Sequence, residues 1–471
     1  MQLIRDEVVI LGAGPAGLLA ALELVRRPQI EQVWVIDRHA GGPRHDFFPH
    51  VLLGLGLENL CRIAPGVLEA LERDERAWGL PWDARHVQFH GGSQRAVGPR
   101  TATIHTVLFR RRDLQRALRE RARAHPRITV CDETRLLEVG LGARGQVAWV
   151  EVAPRREPVR RIACDLLVDA MGRSSPWPKL LQRHASVQVP YERVQSRAFY
   201  ACQHFMGDSP RRPYFYYRKL HARARPQGLL AHSLPDGWIV NAMGLEPDLP
   251  EPYGRPHGVP PRTNAAMLEF LRAQDRPFAS ELQSLTPSLE RPRLWRRLSS
   301  RVNRYDAVSR ALPPNSASIG DALRSLNPAY GTGLTLATLD ALTLARTYDE
   351  VGTGPSFARR FHARASRESL MAIAFAYLDD LALPGTRVHR NGEPVDASAL
   401  RPWLRVQPTL HTAIEALMER TTHDPECTDR VFQLLYRPLQ WRSWSSLLWL
   451  KAASLANRRS AGGDRISVLR P

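Results

Sequence analysis

The sequence has few cysteines, and their arrangement excludes several classes of protein. Five cysteines occur in 471 residues, an odd number, scattered and without any C-x-x-C pair. We therefore expect neither a disulfide framework nor a cysteine zinc site, and the composition favours a reducing, cytoplasmic compartment. The chain also lacks an internal repeat and a long low-complexity linker.

Lysine is almost absent as well. The sequence has 66 basic residues against 47 acidic ones, a net charge of +19, but only Lys179, Lys219 and Lys451 are lysines. A solvated arginine surface, as a GC-rich genome encodes, would account for this excess. Attraction to an anionic substrate, an acidic carrier protein or a membrane surface is the alternative. No nucleic-acid-binding motif is present, so we expect no nucleic-acid partner.

No apolar run has the composition of a membrane anchor. The most apolar stretch, residues 8–25, contains three glycines and Pro15, and Arg26 follows it without a cleavage-type segment. We interpret this stretch as a strand, a turn and a helix, and expect a cytoplasmic protein, peripheral to a membrane at most. A chain of 471 residues also exceeds the size that one core supports, which predicts two or more packed units.

Residues 8–37 have the layout of a dinucleotide-binding β-α-β unit. Gly12, Gly14 and Gly17 occupy the G-x-G-x-x-G spacing between an apolar strand and a helix, and Asp37 ends the next strand twenty residues later. In this motif the glycines allow a tight turn, backbone approach to a pyrophosphate and close helix packing, and the acid binds a ribose hydroxyl. The unit predicts bound FAD or NAD. The candidate cofactor residues here are Gly12, Gly14, Pro15, Ala16, Gly17, Asp37 and Arg38.

A second glycine-rich loop spans residues 320–333. Asp321 follows a predicted strand, where a carboxylate can hold the ribityl hydroxyls of a flavin. The helix that begins near Gly333 would direct its positive end at the flavin ring. Taken alone, the sequence NPAYGTG is also typical of an ordinary turn that binds nothing. The candidate cofactor residues of this loop are Gly320, Asp321, Pro328, Gly331, Gly333 and Leu334, with Tyr330 as a candidate pocket wall.

Together these segments resemble the glutathione-reductase-type flavoproteins of the p-hydroxybenzoate hydroxylase class, over roughly residues 5–350. The resemblance rests on GAGPAG with Asp37, RRRDLQRAL, DLLVDAMGRSSPWPKLL and GDALRSLNPAYGTG. It is strongest to a bacterial subgroup of FAD-dependent monooxygenases with a GDA…NPxYGxG loop. The resemblance implies that Arg112 contacts the FAD phosphates, that Asp321 holds the ribityl chain, and that Gly331 and Gly333 line the flavin ring.

One departure from the family concerns electron supply. Met171 stands directly before Gly172, where the family's second flavin motif usually has an aspartate, and Asp169 lies two residues earlier. Reduction by NAD(P)H bound to this chain and reduction through a partner flavin reductase therefore both stay open. The W-x-W-x-I-P segment and relay lysine of the related halogenases are absent from the sequence, so halogenation is not expected.

These observations predict an α/β fold, a Rossmann-type FAD-binding domain with an inserted β-sheet substrate domain and a helical C-terminal region. We expect residues 1–185 and 309–350 to form the FAD-binding domain, residues 186–308 the substrate domain, and residues 351–471 the helical region. Residues 87–109 are candidates to join the substrate sheet. Within the last region we expect helices to residue 454, with a proline-bounded break at residues 383–402.

The expected activity is oxygenation of a small aromatic or polyketide/isoprenoid-like substrate by hydroxylation or epoxidation. Reduced FAD would react with O₂ to a C4a-hydroperoxyflavin, with NAD(P)H or a partner reductase as the electron source. Candidate catalytic residues are Tyr330, His105 and His204, and candidate pocket residues are Tyr214 and Tyr216. A histidine in a β-rich domain is more often structural than catalytic. A reductase or dehydrogenase of the same fold, of the isoprenoid-saturating type, and a non-enzymatic flavin-binding protein are the alternatives.

The C-terminal segment has the pattern of an amphipathic helix. Trp441, Trp444, Leu448 and, less strictly, Leu455 fall along one helical side, with basic residues around them. A helix packed on the core, a lid and a membrane-surface helix all fit this pattern.

Overall fold

The structure, a computed structural model, describes residues 5–40, 50–52, 54–74, 77–81, 87–91, 94–95, 105–207, 215–218, 227–246, 259–396, 420 and 423–426. Two candidates from the sequence therefore lie outside the described residues. These are Tyr214 and the C-terminal helix with Trp441 and Trp444. Among the described helices, none has the length and apolar content needed to cross a membrane.

The described α-helices are α1 (Pro15–Leu24), α2 (Gly54–Ile63), α3 (Val67–Arg73), α4 (Arg111–Arg123), α5 (Trp177–Ala185), α6 (Asn264–Arg272), α7 (Arg276–Gln283), α8 (Gly333–Val351) and α9 (Phe357–Leu381). The strands of the first half are β1 (Asp6–Leu11), β2 (Ile30–Ile36), β3 (His50–Val51), β4 (Ala77–Pro81), β5 (Val87–Gly91), β6 (Gln94–Arg95), β7 (His105–Phe109), β8 (Ile128–Cys131), β9 (Thr134–Leu141), β10 (Val147–Pro154), β11 (Arg160–Ala163) and β12 (Leu166–Asp169). The strands of the second half are β13 (Tyr191–Gln195), β14 (Ala198–Met206), β15 (Phe215–Arg218), β16 (Gln227–Leu234), β17 (Gly237–Leu245), β18 (Thr286–Pro287), β19 (Arg293–Arg296), β20 (Ser299–Asn303), β21 (Ser316–Ser318), β22 (Arg324–Ser325), β23 (Arg387–Arg390) and β24 (Glu393–Pro394).

A five-stranded parallel sheet forms the centre of the first unit, with the strand order β21-β12-β1-β2-β8. Most residues of β1, β2 and β12 are buried, as expected for a sheet that helices cover on both faces. The helix α1 packs against α4 and α8, and its leucines and alanines belong to the main core. The α/β fold class predicted from the sequence is confirmed. The turn from β1 to α1 lies at the carboxyl edge of the sheet, where β1 stands between β12 and β2.

The second large sheet contains the strands β18-β14-β17-β16-β15-β5-β6 in that order, with β19 also paired to β14. Alternating residues of β14, β16 and β17, such as Phe199, Ala231 and Val240, pack against α6 and α7 in a separate core. The early strand β5 pairs in parallel with β15, whereas β7 pairs with β3 and β4 in a small sheet of its own. The segment 87–109 is therefore divided between two sheets.

A hairpin follows α9 inside the segment that the sequence marked only as a break. Strands β23 and β24 pair with each other, and β23 pairs with β13. The turn contains Asn391 and Gly392, which have φ values of 54° and 95°. Asn-Gly is a strong signal for a two-residue hairpin turn because both central residues need positive φ. The break expected at residues 383–402 thus begins with the end of α9 at Leu381 and contains this hairpin, which ties the C-terminal region to β13.

Candidate functional site

The turn between β1 and α1 is closed by two glycines that no larger residue can replace without a shift. Gly12 has a φ of 107°, and its N–H donates a 2.7 Å hydrogen bond to the carbonyl of Ile36. A Cβ atom at Gly17 would stand 1.9 Å from the Gly12 carbonyl oxygen. The first turn of α1 is therefore pressed against the end of β1, which fixes where the helix N-terminus points.

Gly14 is different because the space beside it is open. A Cβ atom on Gly14 would meet no atom within 4 Å, and the residue has an ordinary φ of −72°. It is the N-cap of α1, has no side chain to cap the helix, and is followed by Pro15 at the first helical position. A helix N-terminus leaves backbone N–H groups for an anionic partner. This cradle fits the pyrophosphate of a dinucleotide.

Asp37 is held against the same turn. Its Oδ2 accepts a 2.8 Å hydrogen bond from the N–H of Ala13, and its Oδ1 accepts one of 2.8 Å from the N–H of His39. The carboxylate remains partly open to solvent, whereas Arg38 is exposed. Asp37 is therefore fixed at the end of β2 with lone pairs left for a ribose hydroxyl.

Two residues of α4 support this turn and were missed by the sequence analysis. Gln115 Nε2 and Arg119 Nη2 donate to the carbonyl of Ala13 at 3.0 and 3.3 Å. Arg119 also forms a buried ion pair with Asp132 and lies 3.9 Å from Oδ2 of Asp37. Arg112, which the family resemblance selects, lies at the start of the same helix with an exposed side chain.

The second glycine-rich loop lies against the first. Gly320 has a φ of 57°, and a Cβ atom there would come within 2.8 Å of the Cβ of Ala16. The turn Gly320–Ala322 thus contacts the N-terminal end of α1, and the neighbouring Asp321 is exposed. Sequence segments three hundred residues apart therefore form one continuous surface.

A buried ion pair fixes Gly320 from behind. Arg324 Nη2 lies 2.6 Å from Asp340 Oδ1, and both side chains are 1% exposed. Asp340 Oδ2 accepts a 2.8 Å hydrogen bond from the N–H of Gly320. Burial raises the pKa of Asp340, and the Arg324 charge opposes that rise. Asp340 therefore holds Gly320 of the loop at a fixed place beside α8.

The loop then turns from β22 into α8. Asn327 caps a short 3₁₀ turn at Pro328–Tyr330 by accepting the N–H of Ala329 at 3.2 Å. Gly331 has a φ of 62°, and α8 begins at Gly333, beside which a Cβ atom would meet nothing within 4 Å. Pro328 and Gly333 are exposed, and Leu334 is half-buried. A second helix N-terminus with open space in front of it therefore borders the same surface.

A network of hydrogen bonds links this loop to α9. Asp380 is fully buried, and its Oδ1 accepts Tyr330 Oη at 2.9 Å and Asn327 Nδ2 at 2.8 Å. Its Oδ2 accepts Ser300 Oγ at 3.1 Å. Burial raises the pKa of Asp380 to about 7, although these three donors work in the opposite direction. Tyr330, predicted as a pocket wall, thus has its hydroxyl bound to α9 and its ring edge-on to Phe375.

The substrate sheet meets the loop through Tyr200, whose hydroxyl donates a 2.8 Å hydrogen bond to Asn327 Oδ1. Side chains alternate along a strand, so the residues that alternate with the α6/α7-packed ones share the Tyr200 face. We call this set the polar face; its buried members are Tyr200, Cys202, His204, Leu230, His232, Ile239, Asn241 and Met243. The sheet therefore directs buried polar groups toward the second glycine-rich loop.

The histidines and tyrosines selected from sequence occupy different places. His204 lies on the polar face, where burial, followed by the charge of Arg110, lowers its pKa to about 3. A neutral imidazole of this kind is a poor general base. His105 begins β7 opposite Pro81, and Tyr216 lies in β15 opposite Ala231. The roles of these residues in catalysis stay predictions.

Asp169, two residues before the position at which the family's second flavin motif has an aspartate, is buried. Its Oδ1 accepts the N–H of Met171 at 3.1 Å, and its Oδ2 accepts Ser175 Oγ at 2.8 Å. Burial raises its pKa to about 7, with Met171, Ser175 and Ser318 opposing. The carboxyl is turned into the protein, with no exposed surface.

Comparisons with known proteins agree with this architecture. No protein-family model matches the sequence. Protein Rv3254 of Mycobacterium tuberculosis is 25% identical over 367 residues, covering 73% of each chain. PqsL, a probable FAD-dependent monooxygenase from Pseudomonas aeruginosa, matches 81% of this chain and 97% of its own at a TM-score of 0.58 and 15% identity. The flavin-dependent brominase Bmp2 matches 97% of this chain and 100% of its own at a TM-score of 0.64 and 14% identity.

Identities of this size carry the likeness in fold rather than in substrate. The matches span 97% of PqsL and 100% of Bmp2. The chain therefore has the fold of the FAD-dependent monooxygenases.

Proposed function

We propose that this protein binds FAD and is a flavin-dependent monooxygenase acting on a small organic substrate. The observation that carries the proposal is the contact between Gly320 and Ala16. It joins the pyrophosphate cradle at Gly14 and the second glycine-rich loop, residues 320–333, which we call the flavin loop, into one surface. The polar face lies across this surface through the Tyr200–Asn327 hydrogen bond. Oxygen transfer requires the substrate to be held close to the flavin ring, and a sheet that covers this surface can hold it there.

The residues of the two loops have separate tasks in this proposal. The N–H groups around Gly14 would bind the pyrophosphate, and Asp37 would bind the adenosine ribose. The exposed carboxylate of Asp321 is placed for the ribityl hydroxyls. The N-terminus of α8 at Gly333 would stabilise negative charge on the reduced ring. Arg119, which contacts both Ala13 and Asp37, would hold the turn in position, and Arg112 at the exposed start of the same helix would contact the phosphates.

Bound FAD would supply the electron transfer to O₂ and the electrophilic oxygen atom. The balance requires two electrons from reduced nicotinamide or from reduced flavin delivered by a partner reductase. One oxygen atom enters the substrate, and the other leaves as water with two protons. The protein's own part is to hold the substrate and to exclude water. The buried side chains of the polar face and the Tyr330–Asp380 contact serve these two purposes.

The reaction of the reduced protein with O₂ tests the proposal. The FAD-loaded protein is reduced anaerobically, mixed with O₂ in a stopped-flow instrument, and followed through the flavin spectrum with a panel of aromatic and polyketide-like compounds. A monooxygenase passes through a transient spectrum distinct from both reduced and oxidised flavin. A reductase or dehydrogenase of this fold returns directly to the oxidised spectrum with every compound, which would reject the proposal. A protein that binds no flavin would reject it as well.

A further inference from the structure

His232 is the least satisfied buried polar side chain on the polar face. It is 0% exposed, and within the described part of the chain neither ring nitrogen has a hydrogen-bond partner. Burial lowers its pKa well below the usual value, and the nearby charge of Arg110 acts in the same direction. The ring is therefore neutral and presents one N–H donor and one acceptor. Leaving such groups unpaired away from water is costly, so their retention calls for a partner.

Arg110 supplies a second unfilled donor at the same end of the sheet. It follows β7 and forms a salt bridge with Asp236, in the turn between β16 and β17. Its buried Nε has no hydrogen-bond partner among the residues that the structure describes. His204 and His232 both lie opposite Ile239 of β17, so the two rings rise from one row of the same face. Besides burial, the charges of Arg110 and Arg112 both lower the pKa of His204, and that of Asp236 raises it.

We infer that the His232–Arg110 end of the polar face binds an oxyanion of the substrate, a carboxylate in the first instance. Among the residues that the structure describes, neither the N–H of His232 nor the Nε–H of Arg110 has an acceptor. Hydrogen bonds in which the acceptor is an ionised oxygen are stronger than neutral ones. The inference rests on the proposed function, because it takes the polar face as the substrate site.

The sheet register also sets the length of the substrate. Tyr200, which contacts the flavin loop, lies four residues along β14 from His204, or about 13 Å. The acidic group and the carbon to be oxidised would therefore stand at opposite ends of an elongated molecule. The middle of the face has Cys202, hydrogen-bonded to Asn241 at 2.9 Å, and Leu230 on the other side of Asn241, whereas Met243 lies opposite Tyr200.

The test measures binding without turnover, using 4-phenylbutyrate and its uncharged isostere 4-phenylbutyramide. Each compound is titrated by calorimetry into the oxidised FAD-loaded protein at fixed ionic strength. We expect the carboxylate to bind about tenfold more tightly than the amide. His232→Phe and Arg110→Gln should each reduce the carboxylate affinity to nearly that of the amide. The control is His184→Gln. His184 lies on α5 and pairs with Glu138 of β9, so this variant should keep the preference.

Equal affinities of the wild-type protein for the two compounds would overturn the inference, as would no measurable binding of either. Retention of the preference in both His232→Phe and Arg110→Gln would overturn it too. If His232→Phe does not fold, His232→Gln takes its place; it keeps a donor and an acceptor and should retain part of the preference. Because no electrons or O₂ are used, failure here is separate from failure of the monooxygenase reaction.

Discussion

The hydroxyl of Tyr330 donates a 2.9 Å hydrogen bond to Oδ1 of Asp380, which joins the flavin loop to a helix fifty residues further along the chain. The same carboxyl oxygen accepts Asn327, and Asn327 in turn accepts Tyr200 of the substrate sheet. One buried carboxyl therefore fixes the loop, the sheet and α9 relative to each other. Movement of α9 would reach the flavin side of the loop through this contact.

The protonation of Asp380 predicts a pH dependence of stability. Burial raises its pKa in the folded protein to about 7 from the ordinary value of 3.8, so between these values the folded chain keeps a proton that the unfolded chain releases. The stability is fully present below pH 3.8 and is lost as the pH rises through 7. Asp380→Asn removes this term, so its melting temperature relative to wild type should be higher at pH 8 than at pH 5, by a difference equivalent to roughly 1–4 kcal/mol. Melting curves at the two pH values check this.

The control for this pH prediction is Asp379→Asn, which removes a neighbouring half-buried carboxyl. Ser300 can rotate its hydroxyl to accept from the new amide, so the network need not break in Asp380→Asn. A melting difference from wild type that is the same at both pH values would show that Asp380 is ionised throughout.

The Arg324–Asp340 pair predicts a large loss of stability when only one partner is removed. Arg324→Met leaves the Asp340 carboxyl buried without its cation, which costs about 3–5 kcal/mol. The double variant Arg324→Met with Asp340→Asn removes both charges and should recover part of that loss. Chemical unfolding of the three proteins measures the difference. A double variant no more stable than the single one would contradict the buried-charge explanation.

Replacement of Tyr330 should separate flavin binding from oxygen transfer. Tyr330→Ala removes both the hydrogen bond to Asp380 and the ring contact with Phe375, so the loop loses its anchor on α9. We expect FAD occupancy near normal but a several-fold larger share of reduced flavin lost as hydrogen peroxide. Tyr330→Phe keeps the ring and is the matched control. Peroxide released per flavin reoxidised is the quantity to measure, and unchanged release in Tyr330→Ala would remove Tyr330 from the oxygenation site.

The altered second motif predicts slow reduction by nicotinamide. Met171 stands where an aspartate is usual, and Asp169 is turned into the protein by the Met171 N–H and Ser175. Mixing the oxidised protein anaerobically with excess NADH or NADPH should bleach the flavin slowly, and an added flavin reductase should raise turnover. Rapid bleaching without a reductase would show that the chain uses nicotinamide directly.

The first unit could be predicted from sequence because its signals are local. The glycine spacing, the apolar strand and the terminal Asp37 lie within thirty residues, and each has one structural consequence. Gln115 and Arg119 were missed because they each follow a residue of the buried apolar row Leu114, Leu118 and Ala122 and do not differ in sequence from the other polar residues of α4. Their partner, Ala13, lies about one hundred residues away.

The polar face could not be predicted because it depends on long-range pairing. His204 was chosen as a single histidine in a β-rich segment, and His232 was not chosen at all. Both fall opposite Ile239 only when β14, β17 and β16 are aligned. A one-residue change of register would have turned either side chain toward α6 and α7. The hydrogen bonds of Asp380 to Asn327 and Tyr330 likewise form only because α9 packs against the loop.

The cradle at Gly14 carries the whole account, since every proposed step needs bound FAD. The most direct measurement is the flavin content of purified, FAD-reconstituted wild type and Gly14→Val, by absorbance after removal of free flavin. A valine side chain there would project into open space rather than into the protein, so the variant should fold and melt near wild type while its side chain blocks the pyrophosphate. We expect equimolar FAD in the wild type and little or none in the folded variant. Equal FAD content in the two proteins, or no FAD in the wild type, would contradict it.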